Sequence, residues 1–267
     1  MRILFAAIVA SNLLVAPVFA QSAATARPPA TPLPTPATPA SELSVPARLP
    51  SFASLFRDLG DDFRRLPSRE SAIILGAAGG ASLAIRGQDA PITQSWSTSP
   101  ALDGLFEPGA TIGGGAVQFG GALATFALGL AINSPRLSIV GADLVRAQIV
   151  ATVLTQGIKL STGRQRPDGT RFSFPSGHTS SSFATAAVLQ RHFGWKAGIP
   201  AYGLAAFVAG SRLQENRHYM SDVIFGAAVG IVSGRAVTIG RGRGAFSVAP
   251  FAVRGGGGVG FTLMGSQ

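Results

Sequence analysis

Apolar residues recur at helical spacing from about residue 52 to residue 240, and short polar stretches separate the apolar runs. This spacing predicts six helices. They are expected at roughly 69–86, 109–133, 137–162, 177–192, 197–213 and 218–238. Because helices joined by short loops run antiparallel to their neighbours, the pattern predicts an all-α fold, a six-helix up-and-down bundle.

The two ends of the chain follow other patterns. Residues 1–20 combine a basic start, an apolar run and small residues before a cleavage point, and they predict a signal peptide rather than an uncleaved anchor helix. Residues 21–50 are rich in Pro, Ala and Thr and predict a disordered linker, which leaves 51–240 as the helical domain. In the Gly-rich tail, residues 241–267, alternating apolar residues flank a glycine run and predict a short C-terminal β-hairpin.

Composition narrows the partners that the chain favours. The residues are 46% hydrophobic and only 13% charged, against about 25% charged in ordinary soluble domains. The formal charge of +10 favours anionic partners, such as phosphorylated small molecules or lipid headgroups. Nucleic acid is not expected, since basic residues form no dense run and are not interleaved with aromatic residues. The chain has no cysteine, which excludes disulfides, thiolate metal sites and a cysteine nucleophile.

Three short blocks in the second half of the chain carry its most distinctive chemistry. They are Lys159 with Arg166-Pro167, Pro175-Ser176-Gly177-His178, and Ser211-Arg212 with His218 and Asp222. In an up-and-down bundle the loops after the third and fifth helices lie at the same end. We therefore expect the three blocks to surround a single hollow of the size of an anion.

The first two blocks contain groups that bind anions. Lys159 and Arg166 are two helical turns apart, and Gly163 is expected to end the helix between them and turn Arg166 inward. Gly177 lies at a predicted helix start, where unpaired backbone N–H groups and the helix dipole favour an anion. The hydroxyl of Ser176 adds a donor.

The third block adds a cation and a histidine–aspartate pair. Arg212 offers a planar fork of donors that suits phosphate oxygens. His218 and Asp222 are four residues apart, so Asp222 can accept from one ring nitrogen and leave the other free to attack. Taken singly, each feature is more typical of a helix end, a cap or a surface pair. The conjunction at fixed spacings favours a functional site.

With these residues the chain resembles the phosphatidic acid phosphatase type 2 and vanadium haloperoxidase superfamily. The stretches KLSTGRQRP, PSGH and SRLQENRHYMSD match every fixed position of its three-part signature. The resemblance implies that His218 is the nucleophile that forms a phosphohistidine, that Asp222 orients it, and that His178 is the general acid. It also implies a phosphate cradle without metal ion or cofactor, formed by Lys159, Arg166, Ser176, Gly177 and Arg212.

The resemblance predicts a metal-independent phosphatase that acts on phosphomonoesters or lipid phosphates. Two alternatives stay open: a vanadate-dependent haloperoxidase, and a phosphate- or lipid-binding membrane protein without turnover. Only seven residues separate Pro167 from Pro175, fewer than the family usually has, which predicts a small cap over the site. His192, some four turns beyond His178, is expected at the surface near a helix end.

The location follows less directly. The charge-free stretch 109–133 is long enough to span a bilayer, but the fourth to sixth helices are marginal. After a cleaved signal, six full spans would put the site on the cytoplasmic side, whereas relatives usually work on the outer side. The interpretation we prefer is an exported, periplasmic bundle that is associated with or embedded in the membrane.

Overall fold

The computed structural model describes residues 49–102, 104–239, 245–253 and 256–264, the last two ranges as backbone only. The predicted signal peptide and nearly all of the predicted linker lie outside these ranges. The described chain forms α1 (Phe52–Arg65), α2 (Arg69–Ile85), a 3₁₀ turn (Arg86–Gln88), α3 (Asp89–Ser97), α4 (Glu107–Gly113), α5 (Gly115–Ala131), α6 (Pro135–Thr162), α7 (Gly177–Phe193), α8 (Trp195–Gln214) and α9 (Met220–Val237).

The all-α class is confirmed, but the predicted count of six helices is wrong. The predicted helix over 109–133 is two helices, because Gly114 takes an extended backbone conformation and α5 leaves α4 at an angle of 48°. Glycine loses more conformational freedom in a helix than other residues, so such a break is inexpensive there. The apolar pattern does not predict α1 and α3, since α1 is rich in charge and α3 is short and polar.

Helices α7 and α9 pack with their backbones in contact, because glycine occupies every fourth position on one side of α9. A Cβ added at Gly230 or Gly234 would lie within 2.7 Å of a backbone oxygen of α7, and one at Gly226 would lie 2.8 Å from the backbone oxygen of Ser176, which precedes α7. No larger residue fits there unless the helices separate. This glycine row therefore holds the first turn of α7 against the first turn of α9.

The apolar core lies mainly between α5, α6 and α7. Its buried residues include Phe126, Val145, Val150 and Val188, and Leu55 of α1 joins the same cluster. These side chains form one continuous group away from the loops that follow α6 and α8. The core thus fixes the helices and leaves their loop ends available for polar groups.

Beyond α9 the backbone forms strands β1 (Ala245–Val253) and β2 (Gly256–Met264). They pair antiparallel from Ala245 opposite Met264 to Val253 opposite Gly256. The turn residues 254 and 255 lie outside the described ranges, so the hairpin stays a prediction.

Length and composition make two of the described helices, α6 and α9, candidates for crossing a membrane. The bent pair α4 and α5 would be a third if it is taken as one span. The described helices therefore do not supply the six full spans that the sequence analysis considered.

Candidate active site

The first block lies where α6 ends. Gly163 caps the helix with a φ of 54°, and its N–H donates to the carbonyl of Lys159 at 2.9 Å. The helix stop predicted at Gly163 is thus present, and Arg166 follows in the loop. The buried Lys159 ammonium donates to the carbonyl oxygens of Phe172 at 2.5 Å and Ser173 at 3.4 Å. Lys159 thereby holds the short loop that leads to the second block.

The second block opens α7 and is bonded to the third. The backbone N–H of Ser176 donates to the carbonyl of Asp222 at 3.0 Å, and the buried Ser176 hydroxyl accepts from Thr179 at 3.0 Å. Gly177 and His178 are the first two residues of α7. Their amides have no partner within the helix and are directed out of its N-terminus.

The third block bridges α8 and α9. The N–H groups of Arg217 and His218 both donate to the carbonyl of Arg212, at 3.0 and 3.1 Å. His218 therefore precedes α9, which begins at Met220. The predicted helix over 218–238 had His218 as its first residue. Its Nδ1 lies 3.5 Å from Oδ2 of Asp222, close enough for an electrostatic contact but long for a hydrogen bond.

The Asp222 carboxylate is fully buried and has partners on both oxygens. Oδ2 accepts from the backbone N–H of Tyr219 at 2.8 Å and from the hydroxyl of Ser173. Oδ1 accepts from Nη1 of Arg164 at 2.7 Å. Arg164 and Ser173 were not predicted as site residues, although both lie in or beside the first two blocks.

Arg164 lies between two carboxylates. Besides Asp222, it donates through Nη2 to Oδ2 of Asp89 at 2.7 Å and through Nη1 to the hydroxyl of Ser221 at 2.7 Å. Its guanidinium also lies 4.4 Å from the centre of the Tyr219 ring. We call Asp89, Arg164, Ser221 and Asp222 the Arg164 cluster. Asp89 belongs to α3, and no local pattern in the sequence links it to the three blocks.

The other two predicted cations differ in how far they are paired. The buried Arg212 contacts the carboxylate of Glu215 through Nη2 and the hydroxyl of Ser211 through Nε at 3.3 Å. The Nε of Arg166 is buried and has no hydrogen-bond partner among the described residues. Arg166 is also without an ion-pair partner in that part of the chain, so its charge is available to a bound anion.

The two histidines share one electrostatic environment. Burial, and then the positive charges of Arg212, His218 and Arg166, lower the pKa of His178 to about 4. Burial also lowers the pKa of His218 to about 4; Asp222 opposes this shift, and the charges of Lys159 and Arg166 add to it. Both imidazoles are therefore neutral at pH 7 in the unliganded protein.

A cavity of about 210 Å³ adjoins His178 and Gly177. Thr155 and Gln156 of α6 and Ser181 of α7 also line it, with Gly113 of α4. The α4 helix covers this side closely, since a Cβ on Gly113 would lie 3.3 Å from Cβ of His178. A larger cavity of about 440 Å³ lies beside Arg164, and its described lining includes none of the predicted site residues.

The structure thus gathers the predicted residues at one end of α6 to α9. Backbone bonds join Ser176 to Asp222, and charge interactions join His178 to His218, Arg166 and Arg212. The gathered set is Lys159, Arg166, Ser176, Gly177, His178, Arg212, His218 and Asp222. Their catalytic and phosphate-binding roles stay predictions.

A second buried ion cluster lies away from this site. Arg146 donates to Asp62 at 2.8 Å and contacts Asp143, and His192 lies 2.8 Å from the other oxygen of Asp143. We call Asp62, Asp143, Arg146 and His192 the Arg146 cluster. The prediction that His192 is a surface residue is wrong, since its side chain is only 11% exposed. The end of α7 packs on α6, and His192 there is within hydrogen-bond distance of Asp143 of α6.

Comparison with known proteins agrees with the three blocks. Residues 141–243 match the PAP2 superfamily, a range that includes all three blocks but neither Asp62 nor Asp89. The resemblance to the phosphatidic acid phosphatase type 2 superfamily is thereby confirmed. A lipid A 1-phosphatase of Porphyromonas gingivalis is 46% identical over 80 residues, which are 28% of this chain and 18% of that protein. The chain therefore spans less than a fifth of the length of this relative.

Two solved structures resemble the fold. The first transmembrane PAP2 type phosphatidylglycerolphosphate phosphatase from Bacillus subtilis aligns with a TM-score of 0.50 at 18% identity, over 70% of this chain and 93% of that one. Aquifex aeolicus LpxE aligns with a TM-score of 0.49 at 22% identity, over 57% and 95%. At such low identity, the Bacillus structure shows that the fold is shared and no more.

Proposed function

We propose that this protein is a phosphatase that hydrolyses lipid phosphate monoesters through a phosphohistidine on His218, without a metal ion. One observation carries the proposal: His218 lies 3.5 Å from the Asp222 carboxylate and within the field of Lys159 and Arg166. A neutral imidazole with an acid behind it and cations in front suits attack on phosphorus. The PAP2 superfamily match over the same residues agrees with this chemistry.

In the first step the free ring nitrogen of His218 attacks phosphorus, and the bond from phosphorus to the ester oxygen breaks. Arg166, Arg212 and Lys159 stabilise the negative charge on the equatorial oxygens. The amides at the start of α7, at Gly177 and His178, add donors. Arg212 takes part once the phosphate has displaced Glu215 from its guanidinium.

His178 moves the proton in both steps. Without ligand the pKa of His178 is about 4, because burial and nearby cations disfavour its protonation. A bound phosphate dianion offsets those cations and raises this pKa, so that His178 is protonated when substrate is present. His178 then gives its proton to the leaving oxygen. It next takes a proton from the water that attacks phosphorus, and the bond from phosphorus to His218 breaks to release phosphate.

The position of the site favours a lipid substrate. Lys159 lies near the end of α6 and Asp222 near the start of α9, the two helices that are long and apolar enough to cross a membrane. A phosphate held between these ends would lie at the depth of lipid headgroups. Apolar side chains such as Val153 and Leu160 of α6 are exposed, which agrees with membrane association. Part of the chain is also similar to a protein named for activity on lipid A.

Location on the outer side of the membrane is part of the same proposal. It depends on the predicted signal peptide, residues 1–20, and a single cysteine in place of the exposed Asp168, in the loop after α6 of this cysteine-free chain, would test it. A membrane-impermeant maleimide added to intact cells is expected to label Asp168→Cys if the site lies on the outer side. Labelling only after the cells are lysed would contradict that location.

The experiment for the enzymatic activity uses the full chain purified in detergent with EDTA present. Phosphate release is measured from dioleoyl phosphatidate in mixed micelles and from p-nitrophenyl phosphate. We expect release from the lipid, and loss of release in His218→Ala. His192→Ala is the matched control, because the third histidine of the chain lies in the Arg146 cluster, and it should retain activity per folded molecule.

Three results would overturn the proposal. Full activity in His218→Ala would exclude the phosphohistidine, and a requirement for added divalent metal would exclude the metal-independent route. Halide oxidation by peroxide with vanadate, without phosphate release, would favour the haloperoxidase alternative.

A further inference from the structure

We propose that Arg164, held by Asp89, is a positioning residue that fixes the carboxylate of Asp222 and through it the orientation of His218. This inference rests on the proposed function. It adds a residue of α3, outside the 141–243 match, to the machinery of the site. It also gives the N-terminal half of the chain a role in the reaction besides packing.

The two carboxylate oxygens of Asp222 have different partners. Its Oδ2 is directed to His218 at 3.5 Å and accepts from the Tyr219 amide at 2.8 Å. Its Oδ1 is bonded to Arg164 at 2.7 Å. A carboxylate held on both oxygens does not rotate freely about its terminal bond. The Arg164 bond on Oδ1 therefore adds to the bonds of Tyr219 and Ser173 on Oδ2 in fixing the oxygen that faces His218.

The orientation of the Arg164 guanidinium is itself fixed. Its two terminal nitrogens bond Asp222 and Asp89, each at 2.7 Å, and its plane lies over the Tyr219 ring. A guanidinium presents its donors in a rigid planar fork, so two carboxylate partners determine its orientation. The Arg164 side chain is 18% exposed and that of Asp89 only 4%, so solvent competes little for these bonds.

Asp89 bonds the start of α9 as well as Arg164. Its Oδ1 accepts from the backbone N–H of Ser221 at 2.9 Å, and its Oδ2 also contacts the Ser221 hydroxyl. A carboxylate at a helix N-terminus is favoured by the helix dipole. Asp89 thus holds both the arginine and the turn of helix that carries Asp222.

Arg164 also affects the charge that acts on His218. His218 faces charged or titratable groups from each of the surrounding elements: Lys159 of α6, Arg166 of the following loop, His178 of α7, Arg212 of α8 and Asp222 of α9. Asp222 is the acid in this set, and Arg164 shares its charge. Without Arg164 the full charge of Asp222 would act on His218 and favour its protonated form. Loss of Arg164 should therefore move the protonation of His218 to higher pH.

The test compares Arg164→Met, Arg164→Lys and Asp89→Asn with Arg146→Met in the full chain. Arg146 is the matched control, because it likewise bonds two aspartates, Asp62 and Asp143. Outer-shell residues that orient metal ligands typically contribute about 10–100-fold, and we take the same range for a residue that orients the partner of a catalytic histidine. We expect kcat of Arg164→Met to fall by about that factor with little change in KM, since Arg164 is not placed to touch phosphate. Arg164→Lys, which keeps the charge, should recover part of the loss.

The pH profile separates positioning from stability. In Arg164→Met the acid limb of kcat/KM should move to higher pH, and Arg146→Met should leave that limb unchanged. The protonation of His218, followed by nitrogen-15 NMR of the labelled full chain without substrate, should shift in the same direction in Arg164→Met.

Distinct results would overturn the inference. One is a fall in activity of Arg164→Met that matches only its folded fraction, with an unmoved acid limb and an unmoved NMR titration. Another is a raised KM at constant kcat, because it would make Arg164 a phosphate ligand. If the wild type released no phosphate from any substrate while the NMR titration still shifted, the proposed function would fail and the positioning by Arg164 would stand.

Discussion

Two arginines of this chain, the buried Arg146 and the partly buried Arg164, lie between pairs of aspartates, and each pair includes an aspartate in contact with a histidine. In the Arg146 cluster, His192 lies 2.8 Å from Asp143. Beside the Arg164 cluster, His218 lies 3.5 Å from its member Asp222. Thirteen residues of α6 separate Arg146 from Lys159, a distance of about 20 Å along the helix. The two regions are thus alike in composition and burial and far apart in space.

The difference lies in which groups in or beside each cluster lack a hydrogen-bond partner. His192 makes a hydrogen bond of full strength with Asp143, and Arg146 is bonded to both of its aspartates. At the other end, Nδ1 of His218 and Nε of Arg166 are buried without a hydrogen-bond partner in the described part of the chain. An ion cluster whose hydrogen bonds are complete offers no group to a ligand, whereas a neutral imidazole near the unpaired Arg166 guanidinium is available to an anion.

The largest test of this comparison exchanges one aspartate in each cluster. Asp222→Asn should lower kcat by about 10⁴-fold, the loss typical when the aspartate that orients a catalytic histidine becomes asparagine. Asp143→Asn should keep activity per folded molecule within about twofold, because distant sites act independently. Rates of phosphate release, normalised to the folded fraction, check both. Equal losses in the two variants would mean that the clusters have the same role.

A second test uses the pH dependence of stability. The pKa of each site histidine is about 4 in the folded protein, below the usual value of 6.5, so the unfolded chain binds more protons between these values. Stability from this source is complete above pH 6.5 and is lost as the pH falls to 4, by at most about 3 kcal/mol for each histidine. Burial raises the pKa of Asp62 in the other cluster to about 6, which has the opposite sign.

Denaturant unfolding in detergent between pH 7 and pH 4 measures this balance. His178→Asn should reduce the loss of stability on acidification, and Asp62→Asn should increase it. Identical pH profiles in the wild type and both variants would contradict the opposite signs assigned to the two regions.

The smallest expected effect concerns Glu215, the acid that contacts a site cation. Glu215→Gln should free Arg212 and tighten the binding of inorganic phosphate by about two- to fivefold, the range for a partly exposed ion pair. Asp168→Asn is the matched control, because it removes the same charge from an ion pair with Arg217 and leaves Arg212 untouched. Isothermal titration of the full chain measures both. A gain of equal size in the control would assign the effect to net charge alone.

The site is more predictable from the sequence than the fold around it. Lys159, His178, Arg212 and His218 lie near helix ends, so helical spacing and short loops are enough to place them at one pole. Gly163 could be read as a helix stop because glycine tolerates a positive φ. These inferences depend only on neighbours along the chain.

What escaped prediction depends on distant contacts. Asp89 meets Ser221 across 132 residues, and no spacing rule connects the two. The His192 side chain is largely covered because α7 packs on α6, a contact that its neighbours in sequence do not reveal. The bend at Gly114 has a local signal in the sequence, three consecutive glycines. These glycines lie within the charge-free stretch 109–133, whose apolar pattern predicts one continuous helix. Arg164 lies inside the first block, but at none of the fixed positions of the three-part signature.

The glycine row of α9 has a consequence for how this protein can change over evolution. His178 begins one helix of the seam and His218 precedes the other, so direct contact between main chains sets the gap between the two imidazoles. Side-chain substitutions elsewhere can reshape the entrance or the lipid-facing surface without altering that gap. A single methyl group on Gly230, which would lie 2.2 Å from a main-chain oxygen, would widen it. Substrate preference can therefore diversify at the rim while the spacing needed for chemistry is inherited unchanged.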